Sequence, residues 1–223
     1  MAMQRIPEPE LMNDEAQARA YAKADFEAPH SYFIELFQQT FPSLSFSGCV
    51  LDLGCGPADI SLRFARAYPD CEIHAVDAAE AMLAYADKAV QQAKLAGRIQ
   101  LLSGYLPHAR LPRRNYDIVI SNSLLHHLAD PLSLWQAVKD YAAAGAPVFI
   151  MDLMRPPSVV SAQTLVAEYA AEEPPILQHD FYHSLLAAYT PQEVEQQLHS
   201  QALPFSVRVV SDRHLVVSGK MPG

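Results

Sequence analysis

Val50-Leu51-Asp52-Leu53-Gly54-Cys55-Gly56-Pro57-Ala58-Asp59 is the stretch that decides how this chain reads. An apolar run breaks into Gly-x-Gly and a helical pattern follows, an arrangement that brings bare backbone N–H groups up to a ligand. One helix and one strand later stands Asp77, at about the 20-residue offset from which a carboxylate accepts hydrogen bonds from ribose hydroxyls. These residues describe a site for a nucleoside cofactor. Asp77 also opens Asp-Ala-Ala-Glu, so it reads equally as a helix cap with Glu80 closing a capping box, and the two roles are compatible.

A dinucleotide fingerprint needs Gly-x-Gly-x-x-Gly, whose third glycine packs the helix close to the strand beside a pyrophosphate. Here that position is Asp59. Its carboxylate would repel a pyrophosphate, but it is harmless or useful beside a cationic sulfonium or ammonium. The run VLDLGCGPADISLRFA resembles the glycine-rich first motif of the class I S-adenosylmethionine-dependent methyltransferases, with Gly54, Cys55 and Gly56 on its glycine loop. The resemblance implies S-adenosyl-L-methionine (SAM) as cofactor.

Composition agrees with such a protein. At 223 residues, 50% hydrophobic, the chain can bury a full core as a single domain over 1–223. A net charge of −9, with 16 Lys and Arg and no basic cluster, argues against nucleic acid or an anionic membrane surface as partner. A small-molecule methyl acceptor is the expected partner, and a homo-oligomer stays open. No apolar run reaches about 18 residues and MAMQRIPEPE holds no signal-peptide core, so a cytoplasmic location is expected. Cys49, Cys55 and Cys71 are not at metal-ligand spacing, and no disulfide or cysteine-built zinc site is expected.

Periodicity places helices over 14–26 and 30–41, the second with Phe33, Leu36, Phe37 and Thr40 on one face. Strand 48–53, helix 58–68, strand 71–76, helix 79–95 and strands 98–103 and 116–121 follow. Asp130-Pro131 starts a helix that ends before Gly145, and strand 146–153 is nearly all apolar. Residues 158–172 carry Val159, Ala162, Val166 and Tyr169 on one stripe, ahead of a Glu-Glu-Pro-Pro break, and Asp180 to Tyr189 is rich in aromatics. Thr190-Pro191-Gln192-Glu193 is a capping box opening another helix, and 205–210 with 214–218 form a closing hairpin. This order resembles the class I methyltransferase fold over about residues 48–218. It implies an α/β, doubly wound, mostly parallel seven-stranded sheet, with an N-terminal helical cap over 1–45 and a lid-like helical insertion over 155–189.

The cofactor set implied by the resemblance is Asp52, Gly54, Cys55, Gly56, Asp77, Ala78, Met82, Ser103, Gly104, Tyr105 and Asn122. Asp52 reads as support for the loop through its backbone N–H groups or as a contact for the methionine amine. Met82 matches the position near the adenine, or is a core methionine of its helix. Many relatives carry an acidic residue after the third strand to bind the adenine amine. Here Ser103-Gly104-Tyr105 occupies the place, so Ser103 or backbone holds the base, with Tyr105 stacking on it or standing at the surface.

The exit of the fourth strand, Tyr116 through Leu128, resembles the family's fourth motif. In an open parallel sheet the carboxyl ends of the strands meet at the ligand crevice, so Asn122 to His127 should line the methyl-transfer site. From an extended segment, adjacent histidines point different ways, so one of His126 and His127 faces the acceptor as orienter or general base. The other is a structural group. No third ligand accompanies them, and no metal centre is expected. Asp152 and Arg155 read as a pair gripping a polar substrate or as a plain salt bridge. Tyr21, Asp25, Phe26 and His30, with Asp180, Phe181, Tyr182, His183 and Tyr189, read as a water-excluding lid or as core; Tyr21, His30 and Tyr182 are its candidate substrate contacts.

Transfer from a sulfonium asks the protein for alignment and desolvation, and for a base only if the acceptor must lose a proton. The absence of a strong catalytic constellation is consistent with that chemistry. Two rivals stand beside it. An NAD-dependent oxidoreductase shares the glycine turn but wants the third glycine and no terminal hairpin. A non-catalytic methyltransferase-like binding protein would keep the loop without turnover.

Overall fold

A single seven-stranded sheet, in the order β3-β2-β1-β4-β5-β7-β6, organises the chain. Its strands are β1 (Cys49–Leu53), β2 (Glu72–Asp77), β3 (Ile99–Ser103), β4 (Ile118–Asn122), β5 (Pro147–Leu153), β6 (Ser206–Val209) and β7 (His214–Lys220). The first five are parallel, and β7 runs antiparallel to both β5 and β6. This is the doubly wound sheet with the terminal hairpin that the alternation of elements implied. The computed structural model describes residues 3–8, 14–42, 44 and 46–223, so positions 1, 2, 9–13, 43 and 45 of the expected 1–45 cap lie outside the described residues.

The two-residue period of the strands splits the core into two layers. Leu51 and Leu53 of β1, with Val119 of β4, face one side, against Trp135 and Val138 of α5 (Leu132–Tyr141) and Val194 and Leu198 of α8 (Pro191–Ser200). Val50, Ile118 and Ile120 face the other side. They pack with Phe33 and Phe37 of α2 (Glu27–Thr40), Phe64 of α3 (Asp59–Ala67) and Val90 of α4 (Glu80–Gln92). Every residue of β1 and β5 is buried, as strands covered on both faces must be.

Helix α8 starts at the expected box: Thr190 Oγ1 accepts from the Glu193 N–H, and Glu193 Oε2 accepts from the Thr190 N–H at 2.8 Å. Asp130 accepts from the Leu132 N–H at 3.0 Å and starts α5 one residue later than its proline suggested. Helix α1 spans Glu15–Lys23, shorter than the 14–26 pattern. Two expectations change after β5. In α6 (Val159–Tyr169) the middle of the expected stripe is inward, with Ala162 buried beside Leu165 and Val166 packed against Leu153, Leu185 and Leu186, while its two ends, Val159 and Tyr169, are exposed. The Pro174-Pro175 break is a helix start, and α7 runs Pro175–Ala187 through the aromatic segment. Proline fits the first turn because the N–H it lacks has no partner there.

Candidate active site

The strand order reverses between β1 and β4, and the carboxyl ends of the parallel strands open there onto a cleft. The cleft holds two adjoining cavities of about 110 and 330 Å³. Tyr21, His30, Asn122, Ser123 and His127 wall both.

The glycine loop borders the smaller cavity. The N–H groups of Gly54 and Cys55 donate to the Val76 carbonyl at 2.8 and 3.0 Å, and the Gly56 N–H donates to Asp77 Oδ2 at 2.8 Å. Gly54, at φ +73°, leaves no room for a Cβ, which would lie 2.8 Å from a methyl of Leu124. Gly56, at φ +51°, is different: a Cβ there would meet nothing within 4 Å. Packing demands the first glycine, while the second sits beneath an open face.

Asp77 ends β2, and its Oδ1 accepts from the Ala79 N–H at 2.8 Å. It is not the cap expected from Asp-Ala-Ala-Glu, because α4 begins at Glu80 with Ala79 at its N-cap and no side-chain cap bond. Burial pushes the Asp77 carboxyl above its ordinary range, against the two N–H bonds. Asp52 does not support the loop N–H groups. It is buried, accepts from Ser61 Oγ at 2.6 Å, and burial pushes its carboxyl up to about 7. Cys55, Ala78, Met82, Gly104, Tyr105 and Asn122 line the same cavity. Ser103 does not: it ends β3 exposed and outside the lining, where the strand's alternation turns it away.

The histidine pair sits on a 3₁₀ turn, Leu125–His127, instead of an extended exit. The rings lie 4.2 Å apart and both wall the larger cavity, while His127 alone of the two also walls the smaller one. Asp152 anchors the turn from behind. Its Oδ1 meets His126 Nδ1 at 2.6 Å, and its Oδ2 accepts from the Leu125 N–H at 2.7 Å. Burial pulls the His126 pKa down, and the Asp152 carboxylate outweighs it, so the net shift is upward.

A segment that no sequence signal singled out completes this corner. The Ile6 N–H donates to Leu186 O at 3.0 Å, and Arg5 donates to the carbonyls of Ala187, His126 and Leu128 at 2.6, 2.9 and 3.3 Å. Glu8 Oε1 then lies 3.1 Å from His127 Nδ1 and 3.6 Å from His126 Nε2, with Ser184 Oγ donating to its carboxylate. A third donor therefore does accompany the histidines. It is distant in sequence and lies between two prolines, so spacing could not find it.

Residues 50–145 match the family model described as a methyltransferase domain. An uncharacterized methyltransferase of Mycobacterium bovis is 30% identical over 108 residues, 48% of this chain and 52% of that protein, so the chain spans about half the length of the curated relatives it matches. Over residues 50–145 the chain is similar to methyltransferase domains, and its fold is that of solved SAM-dependent methyltransferases. A putative SAM-dependent methyltransferase of Methanococcus maripaludis shares the fold at TM-score 0.71 and 18% identity, over 99% of this chain and 98% of that one. The plantazolicin methyltransferase BpumL, in complex with a triazolic desmethylPZN analogue and S-adenosylhomocysteine (SAH), does so at TM-score 0.71 and 14% identity, over 93% and 91%.

Several expected substrate contacts belong elsewhere. Asp152 and Arg155 are not a pair: Arg155 donates to Ala188 O at 2.9 Å and to Glu193 Oε1 at 2.6 Å, tying β5 to the start of α8, and neither residue lines either of the two cavities. Tyr182 packs beside Leu153, Leu165 and Leu186, away from both cavities, because the regular helix α7 turns it onto α6. His183 and Tyr189 also lie outside the lining. Asp25, Phe26, Asp180 and Phe181 do wall the larger cavity. Gln17 donates to Asp180 at 2.9 Å, joining α1 to α7 over it, and His30 Nδ1 meets Asp59 Oδ2 at 2.6 Å, joining α2 to α3. All three cysteines are free and buried. Among the described residues no helix is long and apolar enough to cross a membrane.

Proposed function

We propose that this chain transfers a methyl group from SAM, held in the smaller cavity, to a small-molecule acceptor held in the larger one. The observation that carries this reading is the shared wall of the two cavities at Tyr21, His30, Asn122, Ser123 and His127. That wall is where a sulfonium methyl and an acceptor atom would meet. Asp77 keeps spare lone pairs on both oxygens for the ribose hydroxyls, and Asp52 faces the methionine ammonium. Met82 and Tyr105 flank the adenine, with the Gly104 backbone in place of the usual acidic side chain. Cys55 and Ala78 complete the wall.

In the transfer, an acceptor lone pair forms the new bond to the methyl carbon as the carbon–sulfur bond breaks, and SAH leaves. His127 orients the acceptor or takes its proton, and His126 is held behind it by Asp152. The helices at both ends of the cleft exclude water, which strengthens the field at the reacting atoms. A cavity of about 330 Å³ walled by Phe26, Phe181, Asp25 and Asp180 suits a small metabolite, and the net charge of −9 suits neither nucleic acid nor membrane. A cytoplasmic location follows from the same reading. Calorimetry with SAM, SAH and NAD tests the cofactor: tight SAH and no NAD binding is expected, and the reverse overturns it. An acceptor screen that detects SAH release separates an enzyme from a binding protein.

A further inference from the structure

We infer that Glu8, His126 and His127 form a site for a divalent transition-metal ion of the zinc type in the wall of the larger cavity. This rests on the proposed function only for what the metal would hold there, an acceptor oxygen; metal binding itself does not depend on methyl transfer.

The distances are those of ligands around one ion. Zinc bonds nitrogen and carboxylate oxygen at about 2.0–2.2 Å, so two ligand atoms on a tetrahedral ion stand about 3.3–3.5 Å apart. Glu8 Oε1 is 3.1 Å from His127 Nδ1 and 3.6 Å from His126 Nε2, and all three atoms lie within 4.8 Å of one another. A hydrogen-bond account of the same corner is incomplete. His127 Nδ1 is buried and has no well-directed hydrogen bond: Glu8 Oε1, 3.1 Å away, is in range by distance alone.

The surroundings are also those of a metal ligand. With its Nδ1–H donated to Asp152, His126 presents the Nε2 lone pair toward Glu8, and a carboxylate behind a histidine is the usual outer support of a metal-bound imidazole. Charge points the same way. Glu8 and Asp152 bring two carboxylates into a corner where both side chains are under 10% exposed, while Arg5 spends its guanidinium on three backbone carbonyls. Arg5 keeps its positive charge beside them, and a divalent cation offsets the negative charge that remains. Both histidines wall the larger cavity, which supplies the fourth ligand, a water or an acceptor oxygen. Such a metal would favour acceptors bearing a hydroxyl or carboxylate.

The test titrates chelator-treated full-length protein with Zn²⁺ by calorimetry and with Co²⁺ by visible absorption. One equivalent should bind, with the absorption of a four- or five-coordinate Co²⁺ site. Glu8→Ala and His127→Ala should each weaken binding by about tenfold or more, and Asp152→Asn, acting through His126, by about 10- to 100-fold. Glu8 lies outside the smaller cavity, so SAH calorimetry on Glu8→Ala should be unchanged, which reports both its fold and the cofactor site separately. Should that variant not fold, histidine-ring NMR of the wild type on adding Zn²⁺ decides, since His126 and His127 must shift together. Absence of binding, or binding that survives Glu8→Ala and so belongs to histidines elsewhere, overturns the site and leaves the corner as two histidines beside two carboxylates.

Discussion

Replacing Gly56 by alanine separates two reasons for a glycine that the sequence alone runs together. The backbone there is at φ +51°, which costs a residue with a Cβ about 1–2 kcal/mol, but the Cβ itself would meet no protein atom within 4 Å. Stability should therefore fall by no more than that strain. If the open face above Gly56 receives the cofactor, the added methyl group intrudes on a close contact, and an overpacking cost of about 1–3 kcal/mol weakens SAH by roughly 5- to 150-fold. Gly54→Ala should behave in the opposite way. Its Cβ would lie 2.8 Å from Leu124, so the same strain adds to a clash, and the loss of stability reaches about 2–5 kcal/mol, a large part of a typical total. Urea denaturation measures one quantity and SAH calorimetry the other. A Gly56→Ala protein that binds SAH like the wild type would refute the placement of the cofactor over this loop.

Asp77→Asn keeps the side chain's shape and removes its charge, so SAH binding should weaken by about 1–3 kcal/mol in a folded protein; an unchanged affinity would leave Asp77 holding only the loop and the Ala79 N–H. Asp52 supplies a proton count. Its carboxyl is pushed up to about 7 without a cofactor, so at pH 6.5 it is largely protonated, and an ammonium placed against it would expel the proton. Calorimetry in two buffers of different ionisation enthalpy should show proton release on SAH binding, and no difference between them would remove Asp52 from the amine contact. The same shift predicts that stability falls as pH rises from about 4 to about 7, since the folded state holds a proton the unfolded chain has lost. Urea midpoints for Asp52→Asn should lack that decline. Arg5→Ala strips donors from three carbonyls and should destabilise by about 1–3 kcal/mol, with an unmoved urea midpoint counting against the strap.

The fold was legible in the sequence because its signals are local. Apolar runs covered on both faces, a glycine turn at φ above zero, and a capping box each act within a few residues of themselves, and together they dictate strand, loop and helix order. The family resemblance carried the rest of the topology, and the cofactor candidates Gly54, Gly56, Asp77 and Met82 stand in the one cavity as that order implies. Boundaries and roles beyond the loop were not local. Pro175 read as part of a break after a helix and also starts the next one; Arg155 read as a substrate grip or a salt bridge with Asp152 and pairs instead with Glu193; Ser103 points away. The corner around the histidines depended most on tertiary structure. Nothing near Glu8 in sequence marks it, because its partners are two rings on a 3₁₀ turn and a serine on α7, brought to it only when Ile6 and Arg5 bond to the end of that helix. A side chain's chemistry is written in its own position, but whether it faces a ligand, a carbonyl or another charge is set by segments that meet only when the chain is folded.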